Sequence, residues 1–139
     1  MIQLWKEIAD MEKEGLRPAV TVRLYKEEKC FGPGVAELLE RTDACGSLRR
    51  AAADMGMSYS KAWRIVKDAR EGLGFELLVS AAGGTRGGGS LLTPEGHSFI
   101  AAYRGYEGKI REYAKALFAD EMEAVIDDFC FHRKNEIKA

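Results

Sequence analysis

Residues 47–67 read SLRRAAADMGMSYSKAWRIVK, and the pattern of small and apolar side chains along them decides the fold. Ala51, Ala52, Met55, Met57, Ala62 and Ile65 fall at spacings that place them on the shared inner face of two short helices joined at Gly56. Helices that meet steeply through a tight turn need a small residue where the backbones touch, a turn residue free to take positive φ, and hydrophobes that wedge the second helix in place. Ala52, Gly56 four residues later, and the Met57, Ala62 and Ile65 set meet those demands, which is the spacing of a helix-turn-helix. Ser47 and Ser58 stand where N-caps would open the two helices. The second helix then presents Tyr59, Ser60, Lys61, Trp63, Arg64 and Lys67.

Downstream, Gly72 and Gly74 are expected to close the second helix, and Phe75–Ser80 (FELLVS) reads as a short apolar strand with Leu91–Thr93 as its antiparallel partner. Between them Ala81–Ser90, AAGGTRGGGS, holds five glycines and one basic residue, Arg86. Glycine at that density makes a loop able to approach another backbone closely. A strand, a glycine-rich loop and a strand behind a helix-turn-helix make a winged helix, with Thr85 and Arg86 as the wing's contacts. A phosphate-cradling nucleotide loop fits poorly, because the GK[ST] ending is missing and the segment leads into a strand.

Upstream, Ile2, Trp5, Ile8 and Met11 step by three through residues 2–14 and predict an amphipathic helix ended by Gly15. Arg17–Tyr25 (RPAVTVRLY) alternates Val20, Val22 and Leu24 with polar residues and predicts a strand, with a turn at Glu27–Glu28 and a return over Lys29–Phe31. After Gly32-Pro33-Gly34, residues Val35–Thr42 predict a first core helix.

Thr93-Pro94-Glu95 opens the last long segment with an N-cap, a proline at the first helical position and an acid near the positive end of the helix dipole. Phe99, Tyr103, Tyr106, Ile110, Tyr113 and Leu117 then step by four, three, four, three and four. Such a seam on a charged helix predicts pairing with a second helix, most simply its twin in a homodimer, the alternative being a helix folded back on its own domain. A comparable stripe of Phe118, Met122, Val125 or Ile126, and Phe129 follows, so that the helix either continues or breaks into a second one near Ala119–Asp120.

At 139 residues the chain has room for one domain with a helical extension. Net charge is −1, yet residues 47–90 carry seven basic and four acidic side chains whereas 119–139 carry three and six, so the helix-turn-helix region is locally basic. No apolar run approaches the ~18 residues of a membrane span and no signal core follows Met1, which predicts a cytoplasmic protein. Cys30, Cys45 and Cys130 lack CxxC spacing and are expected to be small buried hydrophobes.

GSLRRAAADMGMSYSKAWRIVKDAREGLGFELL followed by GGTRGGGSLLTPEG, with FGPGVAELLE upstream, resembles the DNA-binding domain of the ModE-type molybdate-responsive regulators, relatives of the LysR-type winged helices. The likeness runs over residues 16–118. It implies a mainly α fold with small β elements: residues 1–33 an N-terminal helix and strand pair, 34–93 the winged helix-turn-helix, 94–139 a helical dimerisation segment. It also implies a transcription regulator that binds double-stranded DNA as a homodimer at a palindromic operator. The two oxyanion-binding modules of full-length members have no counterpart here, so molybdate sensing and any cofactor are not carried over.

A helix fits the major groove, where only residues near its start and on its outer face reach base edges. Ser58, Tyr59, Ser60, Lys61 and Arg64 are those residues, with Arg64 able to make a bidentate contact to guanine. Lys61, Lys67, Arg49 and Arg50 suit phosphates, which set register without reading sequence. Trp63 is expected to pack in the core or at its rim. His97 and His132 stand apart from any metal-ligand or catalytic spacing, so neither an enzyme nor a metal site is expected. The competing reading is a protein-interaction module, or a DNA-binding subunit served by a separate effector-sensing partner.

Overall fold

The structure, a computed structural model, describes residues 15–81 and 89–138. The helix expected over 2–14 and the wing residues Thr85 and Arg86 lie outside the described residues. The chain divides into two compact units, Thr21–Glu107 and a second whose described residues are 15–20 and 108–138.

The first unit begins with a small hairpin of β1 (Leu24–Tyr25) and β2 (Lys29–Phe31), with Leu24 opposite Phe31 and Tyr25 opposite Lys29. The strand expected over 17–25 shrinks to two residues. Alternation alone does not make a strand: a neighbour must supply ladder hydrogen bonds, and Lys29–Phe31 reaches no further than Leu24. Phe31 is fully buried and meets Phe99 and Tyr103 edge-on at 4.8 and 4.9 Å between ring centres.

Helix α1 (Pro33–Cys45) starts with proline in its first turn, where a missing N–H costs nothing, and buries Val35, Ala36, Leu38, Leu39 and Thr42. It outruns the expected Val35–Thr42 because nothing before Gly46 stops it. Gly46 does so at φ +73°, donating its N–H to the Thr42 carbonyl at 2.7 Å.

Helices α2 (Leu48–Asp54) and α3 (Tyr59–Leu73) form the helix-turn-helix. Both expected caps are present: Ser47 Oγ accepts from the Arg50 N–H at 3.1 Å and Ser58 Oγ from the Lys61 N–H at 3.2 Å. Gly56 takes φ +70° while its own N–H and that of Met57 close onto the carbonyls of Ala53 and Ala52, so glycine is required where α2 ends. Ala51, Ala52 and Ala62 are fully buried with Leu38 and Leu48, and Met55, Met57 and Ile65 pack at the edge of this cluster. Gly74, at φ +89°, caps α3. Gly72, expected to share that task, lies inside the helix, where a Cβ would sit 2.4 Å from Cys30 Cβ: it is bare so that the hairpin can approach.

Strand β3 (Leu78–Ala81) pairs antiparallel with β4 (Gly89–Leu92), Leu78 opposite Leu92 and Ala81 opposite Gly89. Both strands are displaced from the expected 75–80 and 91–93. Leu77 is instead drawn wholly into the core and Phe75 turns against Phe99, while Thr93 is committed to the next helix. Thr93 Oγ1 accepts from the Gly96 N–H at 2.9 Å as the N-cap of α4 (Pro94–Phe118).

Along α4 the expected seam divides. Phe99, half-buried, and Tyr103, at 3 % exposure with its hydroxyl donating to the Val22 carbonyl at 2.7 Å, pack against the core of their own chain, so Tyr103 is not available to a second subunit. Tyr106 remains 56 % exposed. Glu107 is buried, and Arg104 reaches both it and Glu40 at 3.1 and 2.6 Å. Partial burial works against the Arg104 charge, but hydrogen bonds and attraction from the two carboxylates outweigh it and hold the guanidinium pKa above its ordinary value.

In the second unit, α4 passes through a π-helical turn at Ala119–Glu123 into α5 (Ala124–Lys138), so of the two courses open near Ala119–Asp120 the chain stays helical and changes its winding there. Tyr113, Leu117, Met122, Val125 and Phe129 are all exposed. Against the expectation of burial, Cys45 and Cys130 are exposed and Cys30 is half-buried, packed at the edge of the core. Among the described residues no helix is long and apolar enough to cross a membrane.

Candidate nucleic-acid interface

Helix α3 has three faces of different chemistry. Ala62, Ile65, Val66 and Ala69 turn inward. Ser60, Lys61 and Arg64 turn outward and are exposed. Tyr59, Trp63, Lys67 and Arg70, stepping by four, four and three, form a third face toward the β3–β4 hairpin.

The outward face begins at the helix start, where base edges are reachable once the helix lies in a major groove. Ser58 is exposed there; its oxygen is engaged as the cap, leaving the hydroxyl hydrogen to donate outward. Arg49 and Arg50 of α2 are exposed beside it. Arg49 lays its guanidinium over the Tyr59 ring at 4.3 Å, which fixes both side chains at the junction of the two helices. Lys67 lies 5.7 Å from the Trp63 ring centre and 3.9 Å from Glu71. Arg49, Arg50, Ser58, Ser60, Lys61 and Arg64 are thus exposed on α2 and the outward face of α3, while Tyr59 and Lys67 lie on the face toward the hairpin.

Trp63 departs from the expected packing role. The inner stripe of α3 is filled by Ala62 and Ala69, and Trp63, one position off it, is left 49 % exposed. Arg70 was missed by sequence reasoning. It stands one turn beyond Lys67 and pairs with Glu76 at 3.6 Å; its register with Tyr59, Trp63 and Lys67 was the signal that could have found it.

The hairpin is fixed at its base. Ser90 donates its N–H to the Gly46 carbonyl at 2.9 Å and Leu92 donates to Asp43 Oδ1 at 3.0 Å, tying β4 to the end of α1. On the strand's other side Thr93 donates its N–H to Leu77 and its hydroxyl to the Glu76 carbonyl at 2.7 Å. These bonds hold the hairpin in register beside α3. Among the described residues no group of three or more His, Cys, Asp or Glu side chains is arranged to hold a metal ion.

Residues 35–97, from α1 to the first turn of α4, match the family described as bacterial regulatory helix-turn-helix protein, lysR family. Over these residues the chain is similar to the LysR-type helix-turn-helix domain. Proteins named ModE and MopB are among those similar to it. The molybdenum-pterin-binding protein MopB of Rhodobacter capsulatus is 35% identical over 92 residues, covering 63% of this chain and 34% of that protein. The molybdenum transport protein ModE of Azotobacter vinelandii is 42% identical over 81 residues, 58% of this chain and 28% of that protein. The DNA-binding transcriptional dual regulator ModE of Escherichia coli K12 is 30% identical over 89 residues, 63% of this chain and 34% of that protein. The chain spans about a third of the length of these curated relatives. The matched residues include the exposed basic start of α3.

Proposed function

We propose that the protein is a sequence-specific transcription regulator that binds a palindromic operator as a homodimer and acts on genes of molybdenum transport or use. The observation that carries this reading is the exposed face Ser58, Ser60, Lys61 and Arg64 at the start of a helix whose inner face is locked by buried alanines. Arg64 reads a guanine; Lys61, Arg49 and Arg50 take phosphates; Thr85 and Arg86 serve the wing. A homodimer is supported by the apolar stripe that α4 leaves uncovered, Tyr106, Tyr113 and Leu117 with half-buried Ile110. Two copies related by a two-fold axis would present their α3 helices to matching half-sites. The named activities of the relatives supply the molybdenum connection.

Unbiased selection of duplex sequences by the purified chain tests this. The expected result is an inverted repeat, and Arg64→Ala then loses ~1–3 kcal/mol on the selected duplex while changing affinity for random duplex little. Equal losses on both would remove Arg64 from base reading. If the chain protects no defined site until another protein is added, the reading as a subunit served by an effector-sensing partner replaces the stand-alone regulator.

A further inference from the structure

The third face of α3 and the hairpin beside it enclose an open cleft of about 330 Å³, lined by Tyr59, Trp63, Lys67 and Arg70 on one wall and by Glu76 and Val79 on the other. We infer that this cleft seats the sugar-phosphate backbone that separates the major groove from the adjacent minor groove, with Trp63 against deoxyribose and Lys67 and Arg70 on neighbouring phosphates. The inference rests on the DNA-binding reading and adds to it a second set of contacts that carry no sequence information.

Groove geometry leads to it first. With α3 in a major groove and the hairpin directed at the neighbouring minor groove, one strand's backbone must run between the two elements. The chemistry of the walls fits that occupant. Trp63 at 49 % exposure and Val79 at 52 % offer apolar area that a sugar ring can cover, next to two cations one turn apart. A deoxyribose covers an indole whatever base it bears, so this contact positions the protein without discriminating.

Charge pairing shows how the site is held before DNA arrives. Lys67 faces Glu71 at 3.9 Å and Arg70 faces Glu76 at 3.6 Å, and all four side chains are at least 38% exposed. Solvated pairs of this kind are weak, so a phosphate displaces the carboxylates readily. Glu76 nevertheless stays in the cleft as a negative charge beside the incoming strand, and therefore restrains affinity.

Binding is measured over a range of salt concentrations, using a duplex selected by the wild-type chain and a mixed-sequence duplex of equal length. Trp63→Ala should weaken both complexes by a similar factor, about tenfold, with the salt slope unchanged, because the loss is apolar. Trp63→Phe should recover most of that loss, and an unchanged thermal midpoint for both variants separates the effect from folding. Lys67→Ala and Arg70→Gln should each lower the slope by ~0.9. Glu76→Gln should tighten binding to both duplexes. The inference is overturned if Trp63→Ala leaves both affinities intact, if it weakens only the selected duplex, or if Glu76→Gln binds no more tightly. A wild-type chain with no salt-dependent affinity for either duplex would overturn the DNA-binding reading along with it.

Discussion

Helices α3 and α4 both carry a regular apolar stripe, and the structure uses them differently. The stripe of α3, Ala62, Ile65 and Ala69, is taken up wholly within its own unit: Ala62 packs with α2 across a four-residue turn and with Leu38 of α1, and Ala69 packs with α1, Phe31 and Leu77. The stripe of α4 is divided. Its first members, Phe99 and Tyr103, close over Phe31, while Tyr106, Tyr113 and Leu117 remain exposed. Small residues set at a turn specify which surface they touch, because only one neighbour can come that close. A heptad of large residues specifies only that some surface must cover it.

Paired substitutions along these stripes would break or sharpen that contrast. The largest effect is expected at Tyr103. Removing its ring in Tyr103→Ala should destabilise the fold by ~3–5 kcal/mol, read by chemical denaturation, because a buried ring and a hydrogen bond to Val22 are lost together. On α2, Ala52→Leu forces a larger side chain into the fully buried contact with α3 and should cost ~1–3 kcal/mol. A cost near zero there would mean that the α2–α3 contact is looser than the stripe implies. Ser58→Ala removes the α3 cap and should cost about 1 kcal/mol. Tyr113→Ala should be the mildest, within ~0.5 kcal/mol for the isolated chain since the ring is 67 % exposed. Its effect should appear in sedimentation as a shift toward monomer; unchanged association would remove Tyr113 from the proposed seam.

The helix-turn-helix was legible because its signals are local. A cap oxygen acts on amides two or three residues away, and Gly56 acts on the carbonyls of the helix it ends, so sequence neighbours suffice to predict both. The exposed residues on the outward face followed from the same register. Trp63 and Arg70 did not, because whether a side chain one position off the core stripe is covered depends on where the hairpin lies. That position is set by bonds from β4 to Asp43 and Gly46, more than forty residues back in the chain. The strands shortened and shifted for a related reason, since the ends of a ladder are decided by the partner strand and by how strongly residues such as Leu77 are drawn into the core.

By itself the sequence determined the order and type of elements from α1 to α4, both N-caps, the glycine turn and the outer face of α3, since each depends on contacts within about one helical turn. Only the tertiary structure decided that Phe99 and Tyr103 belong to their own chain's core, that Gly72 is bare to admit Cys30, and that Trp63 faces an open cleft. Those outcomes turn on which distant surface arrives first, and periodicity along a chain carries no information about that.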